Sequence, residues 1–263
     1  MSNSTRFLTA LAATAVLLLV LPGALAGAAP APAIPTPAVT MVNSNGSAGY
    51  EVGQTLNSSI TAFNTSWIQP RVNCTTSNST ALFDAFLVSN GTVQIAGTGV
   101  SCRGGIASSF GWYLFTTTNT SSRANLTKIS TATLPVPAGS VVKVSWLKIT
   151  GKMRVTISVG THKVVKTHAF TGRNFIAEVG VVGQPAKHGI LPLANFGTMA
   201  FGKSYTAVNG TNDVKVNGTT KALGGMTLCA ELTLIDSTSK VLAAPTALAG
   251  SGTSFKITWK AST

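Results

Sequence analysis

Hydrophobic and polar residues alternate along much of the chain with a period of two. The run "VVKVSWLKI", residues 141–149, alternates in this way, and "MRVTISVG", residues 153–160, repeats the pattern after a short turn at residues 150–152. A third run, "KVVKTHAF", follows at residues 163–170. Because successive side chains of a strand point to opposite faces, this alternation predicts β-strands with one buried face each.

Turn signals separate the strand-like runs at short intervals. From Met41 onward, no window carries a 3.6-residue apolar stripe longer than two helical turns. Many short strands between such turns predict an all-β protein, and the economical architecture is a two-sheet antiparallel β-sandwich in one domain, residues 47–263. The turn signals are dipeptides that favour tight turns: Asn90-Gly91, Gly104-Gly105, Asn209-Gly210 and Asn217-Gly218.

The N-terminus has the pattern of an export signal. Arg6 precedes an uncharged stretch that ends in the small-residue cleavage pattern Ala24-Leu25-Ala26, so residues 1–26 are predicted to be a signal peptide. The stretch is long for a signal core, which leaves an uncleaved membrane anchor as the alternative. Residues 27–46 are rich in Pro and Ala and predict an extended linker. We therefore expect a secreted, extracellular protein with no stable membrane insertion after signal cleavage.

Composition narrows the function. Hydrophobic residues make up 44% of the chain, but only 10% are charged, well below the ordinary ~25%. The net charge of +13 comes from basic residues scattered in ones and twos without neighbouring aromatic ladders, so no nucleic-acid partner is expected. With only six carboxylates, few native ion pairs can be lost at low pH, which favours an acid environment.

The three cysteines leave two alternatives. Cys74 and Cys102 flank a segment with two strand-like runs, and a disulfide closing this loop would suit an oxidising compartment. Cys229 would then be a buried free thiol. The alternative is three unpaired thiols.

The common hydrolase signatures are absent from the sequence. It contains no zinc-binding His-Glu-x-x-His, no Gly-x-Ser-x-Gly, no phosphate loop and no Asp-Thr/Ser-Gly turn. His162 and His168 could share a strand face but lack an evident third ligand, so neither a metal nor another cofactor is expected. One acidic residue, Glu178, stands in the apolar strand "NFIAEVGVV". It is either an exposed strand residue or a reacting group.

Several segments around Glu178 resemble the eqolisins, the glutamic peptidases. The strongest similarity is in "IAEVGVV", residues 176–182, followed by "ILPLANFGTMAF", residues 190–201. The C-terminal strands from "MTLCAELTLIDS" to Trp259 are also specific. Weaker matches occur in the expected order, so the resemblance covers essentially the whole domain at 47–263: "AGYEV", "FNTSWIQPRVNC", "TVQIAGTGVSC" and "GWYLF".

The resemblance implies a concanavalin-like β-sandwich with its active site on the concave face, and a monomeric endopeptidase acting on protein or peptide substrates in acid. In this family a Glu and a Gln form the catalytic dyad. Glu178 matches the family's glutamate and is predicted to act as general base and then general acid. Gln94 is the predicted oxyanion donor, since a neutral amide can donate a hydrogen bond without adding charge.

The position of Gln94 departs from the family pattern. Aligned without a gap, "TVQIAG" places Ile95 at the catalytic amide position and Gln94 one residue early. A shift of one residue on a strand reverses the direction of the side chain. A β-bulge near Ala96 and Gly97 would restore its direction, and without a bulge the oxyanion donor is missing. Leu114 also replaces the acid of the family's Trp-Tyr-Glu pattern.

Four aromatic residues are the predicted substrate-binding residues. Trp67, Phe86, Trp112 and Tyr113 could line a peptide groove, while ordinary core packing is the alternative for each. The sequence thus supports two functions: a secreted acid endopeptidase, or a catalytically inactive sandwich that binds peptide or glycan at the cell surface.

Overall fold

The computed structural model describes residues 39–54, 58–90, 92–116, 126–186 and 189–263. The predicted signal peptide and most of the predicted linker lie outside these residues. The strands are β1 Thr40–Ser44, β2 Ser47–Gly53, β3 Ile60–Ile68, β4 Thr80–Ser89, β5 Thr92–Arg103, β6 Ile106–Thr116, β7 Thr127–Ile129, β8 Val141–Ile149, β9 Lys152–Val159, β10 His162–Ala169, β11 Asn174–Val182, β12 Pro185–Ala186, β13 Gly189–Ile190, β14 Thr198–Gly202, β15 Asp213–Val216, β16 Thr219–Ala222, β17 Leu228–Ile235, β18 Val241–Pro245 and β19 Ser254–Trp259. One short helix, α1, covers Lys203–Thr206, and a 3₁₀ turn covers Leu223–Gly225.

The strand pairing confirms the predicted all-β class. One run of neighbours is β6-β5-β4-β11-β2-β17, and a second is β10-β9-β8-β3. The two runs are joined through β14, β19 and β18, and again where β11 meets β3. In the described part of the chain, 17 strands form one hydrogen-bonded sheet that closes on itself, and the division into two sheets stays a prediction.

The main hydrophobic core lies between the two runs. In this core, one face of β4 and β11 packs against β3, β8 and β9. Trp146 on β8 spans the gap, because its indole N–H donates to the carbonyl of Ala85 on β4 at 3.2 Å. Strands β4 and β11 consequently have one face packed on the core and the other face pointing away from it.

The predicted linker is shorter than expected. Residues 40–44, assigned to the linker at 27–46, form strand β1 and pair in parallel with β17. Residues 230–234 of β17 supply pairing partners that the sequence pattern of the linker does not reveal. The folded region begins before residue 47.

The disulfide between Cys74 and Cys102 is confirmed, with its Cα atoms 5.4 Å apart. Cys229 is a buried free thiol, as predicted. Burial raises the pKa of the Cys229 thiol to about 11, with a smaller contribution from Glu231, so the thiol stays protonated at neutral pH.

None of the helices in the described ranges is long and apolar enough to cross a membrane.

Replacing both Cys74 and Cys102 with Ser is expected to lower the free energy of unfolding by about 3 to 4 kcal/mol, because the unfolded chain regains the entropy of an open loop. The two cysteines are separated by 28 residues in the sequence, which sets this magnitude. Denaturant unfolding of the wild type and the double variant measures the difference. Cys229→Ser, which leaves the disulfide in place, is the matched control. Equal midpoints for wild type and double variant would contradict the prediction.

Candidate active site

Glu178 lies at the centre of the first run of strands. Strand β11 has β2 on one side and β4 on the other, and Glu178 is directly opposite Glu51 on β2 and Phe86 on β4. Residues directly opposite one another project from the same face of a sheet. The row continues through Ile95 and Leu114 on β5 and β6. We call this side of the strands the carboxylate face and the opposite side the core face.

Glu178 is nearly buried on this face, with 5% of its surface exposed. Beside it, Asp84 lies one row away and is fully buried. Asp84 is directly opposite Gly180 on β11 and Gly97 on β5. Glu51, Asp84 and Glu178 are three of the six carboxylates of the whole chain. The carboxylate face therefore concentrates acidic groups in an otherwise basic protein.

Glycines allow the strands to approach closely in the row of Asp84. A Cβ atom at Gly97 would overlap the carbonyl oxygen of Phe83, and one at Gly180 would overlap the carbonyl oxygen of Ala48. Glycine at both positions thus allows β2, β11, β4 and β5 to pack at this close spacing.

The ionisation of Glu51 is strongly perturbed. Its side chain is partly buried, and burial together with the neighbouring charge of Glu178 raises the pKa of Glu51 to about 8. Two carboxyl groups that face each other cannot both ionise easily, so one of them keeps its proton well into the neutral range. The pair can therefore hold one shared proton from mildly acid to neutral pH.

The predicted convergence of Gln94 with Glu178 is wrong. Gln94 is opposite Leu87 on β4, and Leu87 is opposite Ala177 on β11, so Gln94 belongs to the core face. The register between β4 and β5 runs without a shift, and no β-bulge near Ala96 turns the side chain around. Gln94 is fully buried and donates a hydrogen bond to Asn174 at 3.0 Å. Its role in this structure is to join β5 to β11.

The four predicted aromatic residues do not form one groove. Trp67 is fully buried in the main core, with its indole N–H donating to Thr98 at 3.2 Å. Tyr113 lies on the core face, one residue from the position of Leu114, and its ring contacts Phe115. For these two residues, alternation along the strand and core packing contradict the predicted contact with substrate.

Phe86 and Trp112 do lie on the carboxylate face. Phe86 is partly buried directly opposite Glu178. Trp112 is fully buried in the row of Asp84, and its indole N–H donates to the carbonyl of Thr98 at 3.0 Å. Both contact a second apolar cluster on this face, which covers the outer strands: Leu82, Val93, Ile95, Phe110, Leu114 and Val182. Of the predicted substrate-binding residues, only Phe86 is both partly exposed and adjacent to Glu178.

Two acidic residues of this face were missed by reasoning from the sequence. Glu51 occupies an apolar strand, "SAGYEVG", as Glu178 does in its own strand, and Asp84 interrupts the apolar run "ALFDAFLV". In a chain with six carboxylates, an acidic residue inside an apolar run was the available signal.

Within the described part of the chain, no group of three or more His, Cys, Asp or Glu side chains has a geometry that could hold a metal ion.

Comparison with known proteins places this geometry on a familiar fold. No protein-family model matches the sequence, and no curated protein matches it. Solved structures match at the level of fold. Scytalido-glutamic peptidase with a transition state analog inhibitor has a TM-score of 0.60 and 14% identity, covering 82% of this chain and 98% of that chain. A second structure of that peptidase, with a peptide based analog, has a TM-score of 0.58, 13% identity and coverage of 82% and 100%.

A third similar structure is that of SCP-B, a member of the eqolisin family, in complex with the tripeptide Ala-Ile-His. Its TM-score is 0.57 and its identity 14%, with 82% of this chain and 98% of that chain covered. The fold of this chain is thus the fold of glutamic peptidases, and the resemblance predicted from the sequence is confirmed at that level. Identity this low shows the fold alone.

Proposed function

We propose that the chain is a secreted acid endopeptidase in which Glu178 acts first as general base and then as general acid. The observation that carries the proposal is a nearly buried carboxyl group at the centre of the carboxylate face, in a fold shared with glutamic peptidases. The two solved structures of scytalido-glutamic peptidase hold transition state analogs. A peptide or protein is therefore the substrate class that we propose here.

The proposed chemistry needs one ionised carboxylate next to a water molecule. The Glu178 carboxylate removes a proton from the water as its oxygen attacks the scissile carbonyl carbon. The protonated Glu178 then delivers this proton to the leaving nitrogen as the C–N bond breaks. Glu178 returns to its ionised form, and the products are a carboxylic acid and an amine.

Several features of the chain suit an acid, extracellular setting. The disulfide between Cys74 and Cys102 is typical of an oxidising compartment. Because the chain holds only six carboxylates, acidification removes few favourable charge interactions. We propose that the protein is exported by its N-terminal segment and acts as a monomer.

A cleavage assay with the purified protein tests this proposal. We expect denatured protein substrate to be cut at roughly pH 2 to 5, where a glutamate near its ordinary pKa is partly ionised. New amino termini, counted by an amine-reactive dye and located by mass spectrometry, report cleavage. A mock preparation from the same host, lacking the expressed chain, is the control. An inert wild-type protein throughout this range would reject the endopeptidase proposal.

One observation favours the second candidate, a noncatalytic protein that binds peptide or glycan. The row beside Glu178 continues through Phe86, Ile95 and Leu114, which are all apolar, and Gln94 points to the core. If the wild type binds an extended peptide but returns it intact at every pH, this alternative is favoured.

A further inference from the structure

The carboxylate face contains a neutral hydrogen-bond donor other than the expected amide. Peptide hydrolysis develops negative charge on the carbonyl oxygen, and a donor aimed at that oxygen contributes strongly to the rate. On the strand to one side of Glu178, the nearest positions are Phe86 and, one strand further, Ile95, and neither side chain can donate. On the other side the opposite residue is Glu51.

We propose that Glu51 is the second catalytic residue of this site, and that its protonated carboxyl group donates the hydrogen bond to the developing oxyanion. The inference rests on the proposed function, because it assigns a residue to the same reaction. A protonated carboxyl group resembles an amide in the property that matters here: it is uncharged and carries a donor. A carboxylic acid kept neutral by its surroundings is a known way to build an oxyanion site.

The geometry supports this assignment. Directly opposite residues of an antiparallel pair have Cβ atoms about 5 Å apart, so the carboxyl groups of Glu51 and Glu178 can reach a common substrate atom or water. The register between β2 and β11 is continuous from Ser47 to Gly53, which keeps both side chains on one face. The position opposite Glu51 on its other neighbour, β17, is Ala230, which leaves room beside the carboxyl group.

The charged surroundings of Glu51 favour its protonated form. The titratable group that faces it from β11 is Glu178, and one strand further, on β4, Asp84 occupies the next row. The residues of β17 that pair with β2 on this face are Leu228, Ala230 and Leu232, and none of them titrates. Glu231 points to the opposite side, where it accepts a hydrogen bond from Tyr50 at 2.8 Å. Burial and the charge of Glu178 raise the pKa of Glu51 to about 8.

The two carboxyl groups then divide the reaction between them. Glu178 carries the mobile proton from water to the leaving nitrogen. Glu51 keeps its own proton throughout and donates it in a hydrogen bond, first to the carbonyl oxygen and then to the oxyanion. When the C–N bond breaks, the oxyanion returns to a carbonyl and Glu51 is unchanged, so no further reactant is needed.

The test compares Glu51→Ala, Glu51→Gln and wild type over pH 2 to 9. This range includes the ordinary glutamate pKa and extends several units above it. Glu51→Ala removes the donor and is expected to lower kcat/KM by about 100-fold. Glu51→Gln replaces one neutral donor with another and is expected to recover most of that loss. Because glutamine does not titrate, the activity of the wild type relative to this variant should fall as Glu51 ionises in the neutral to basic range.

Glu231→Gln is the matched control, because Glu231 is on β17 and faces away from the site. It is expected to keep the wild-type pH profile. Circular dichroism and thermal unfolding show whether each variant is folded. If Glu51→Ala does not fold, the upper limb of the Glu51→Gln pH–activity profile tests the inference by itself. Glu51→Ala with wild-type activity, Glu51→Gln as inactive as Glu51→Ala, or an unchanged upper limb in Glu51→Gln would each overturn the inference while leaving Glu178 in place. Inactivity of the wild type itself would reject the proposed function and this inference together.

Discussion

Glu178→Gln is expected to lower the rate of peptide cleavage by about 10³-fold while leaving the fold intact. Glutamine has nearly the shape of glutamate but cannot take a proton from water, so the proposed general base is lost without a change in packing. Because Glu178 is nearly buried, replacing its carboxylate with a neutral amide also removes the cost of desolvating a charge. The variant should therefore unfold at the same temperature as the wild type or above it. Cleavage rates at acid pH and thermal unfolding by circular dichroism measure the two effects.

Gln94→Leu is the matched control for Glu178→Gln. It removes the hydrogen bond that joins β5 to Asn174 and leaves that buried amide unsatisfied, so the free energy of unfolding should fall by about 1 to 3 kcal/mol. At temperatures well below unfolding, its cleavage rate should remain near that of the wild type, because Gln94 lies on the core face. The reverse result, with activity lost in Gln94→Leu and kept in Glu178→Gln, would contradict the assignment of the site.

The fold could be predicted from the sequence where the pattern is local. The alternating runs at residues 141–149, 153–160 and 163–170 correspond closely to β8, β9 and β10, because each strand has one face on the core and one face on solvent. Short turns join these strands, so neighbouring runs pair with each other. The all-β class could be predicted because the alternation and the turn signals are local. The disulfide could be predicted because Cys74 and Cys102 flank two strand-like runs.

The site could be predicted only in part, because its geometry depends on pairing between distant strands. Glu51 and Glu178 meet through the pairing of β2 with β11, which are separated by more than half of the folded chain. Nothing in the sequence near Glu51 specifies that partner. Gln94 shows the same limit, since a single step along β5 decides between the carboxylate face and the core face. The resemblance predicts a catalytic role for Glu178, whose motif is preserved, but could not fix the register of β5.

The charge of the carboxylate face has a consequence for stability as well as for activity. Glu51 has a pKa of about 8 in the folded protein, above its ordinary value of 4.5. A group whose pKa is raised by folding contributes its full stability below the unfolded pKa and loses it as the pH rises through the folded pKa. The wild-type protein should therefore become less stable between roughly pH 5 and pH 8. This direction suits the proposed activity in acid.

Glu51→Gln is expected to abolish most of this decline. Each unit of pKa difference corresponds to about 1.4 kcal/mol, and allowing for partial exposure of Glu51, the variant should be more stable than wild type by about 2 to 4 kcal/mol at pH 8. For a domain of this size, that corresponds to a rise of about 5 to 10 °C in the unfolding temperature. At acid pH, where Glu51 is protonated in both folded and unfolded chains, the two proteins should unfold at similar temperatures. Thermal unfolding followed by circular dichroism at a series of pH values measures the difference.

Asp236→Asn is the control, because the pKa of this carboxyl group is lowered in the folded protein and not raised. Asp236 is partly exposed, and hydrogen bonds from Thr238 and Lys240 lower its pKa below the ordinary 3.8. Its contribution to stability is present above the ordinary pKa and is lost only as the pH falls through the lowered value. Between pH 5 and pH 8 the difference between this variant and wild type should therefore stay constant. If wild type and Glu51→Gln instead changed in parallel over the same range, the carboxyl group of Glu51 would not be held protonated by its surroundings, and its assignment as a neutral donor would lose its electrostatic basis.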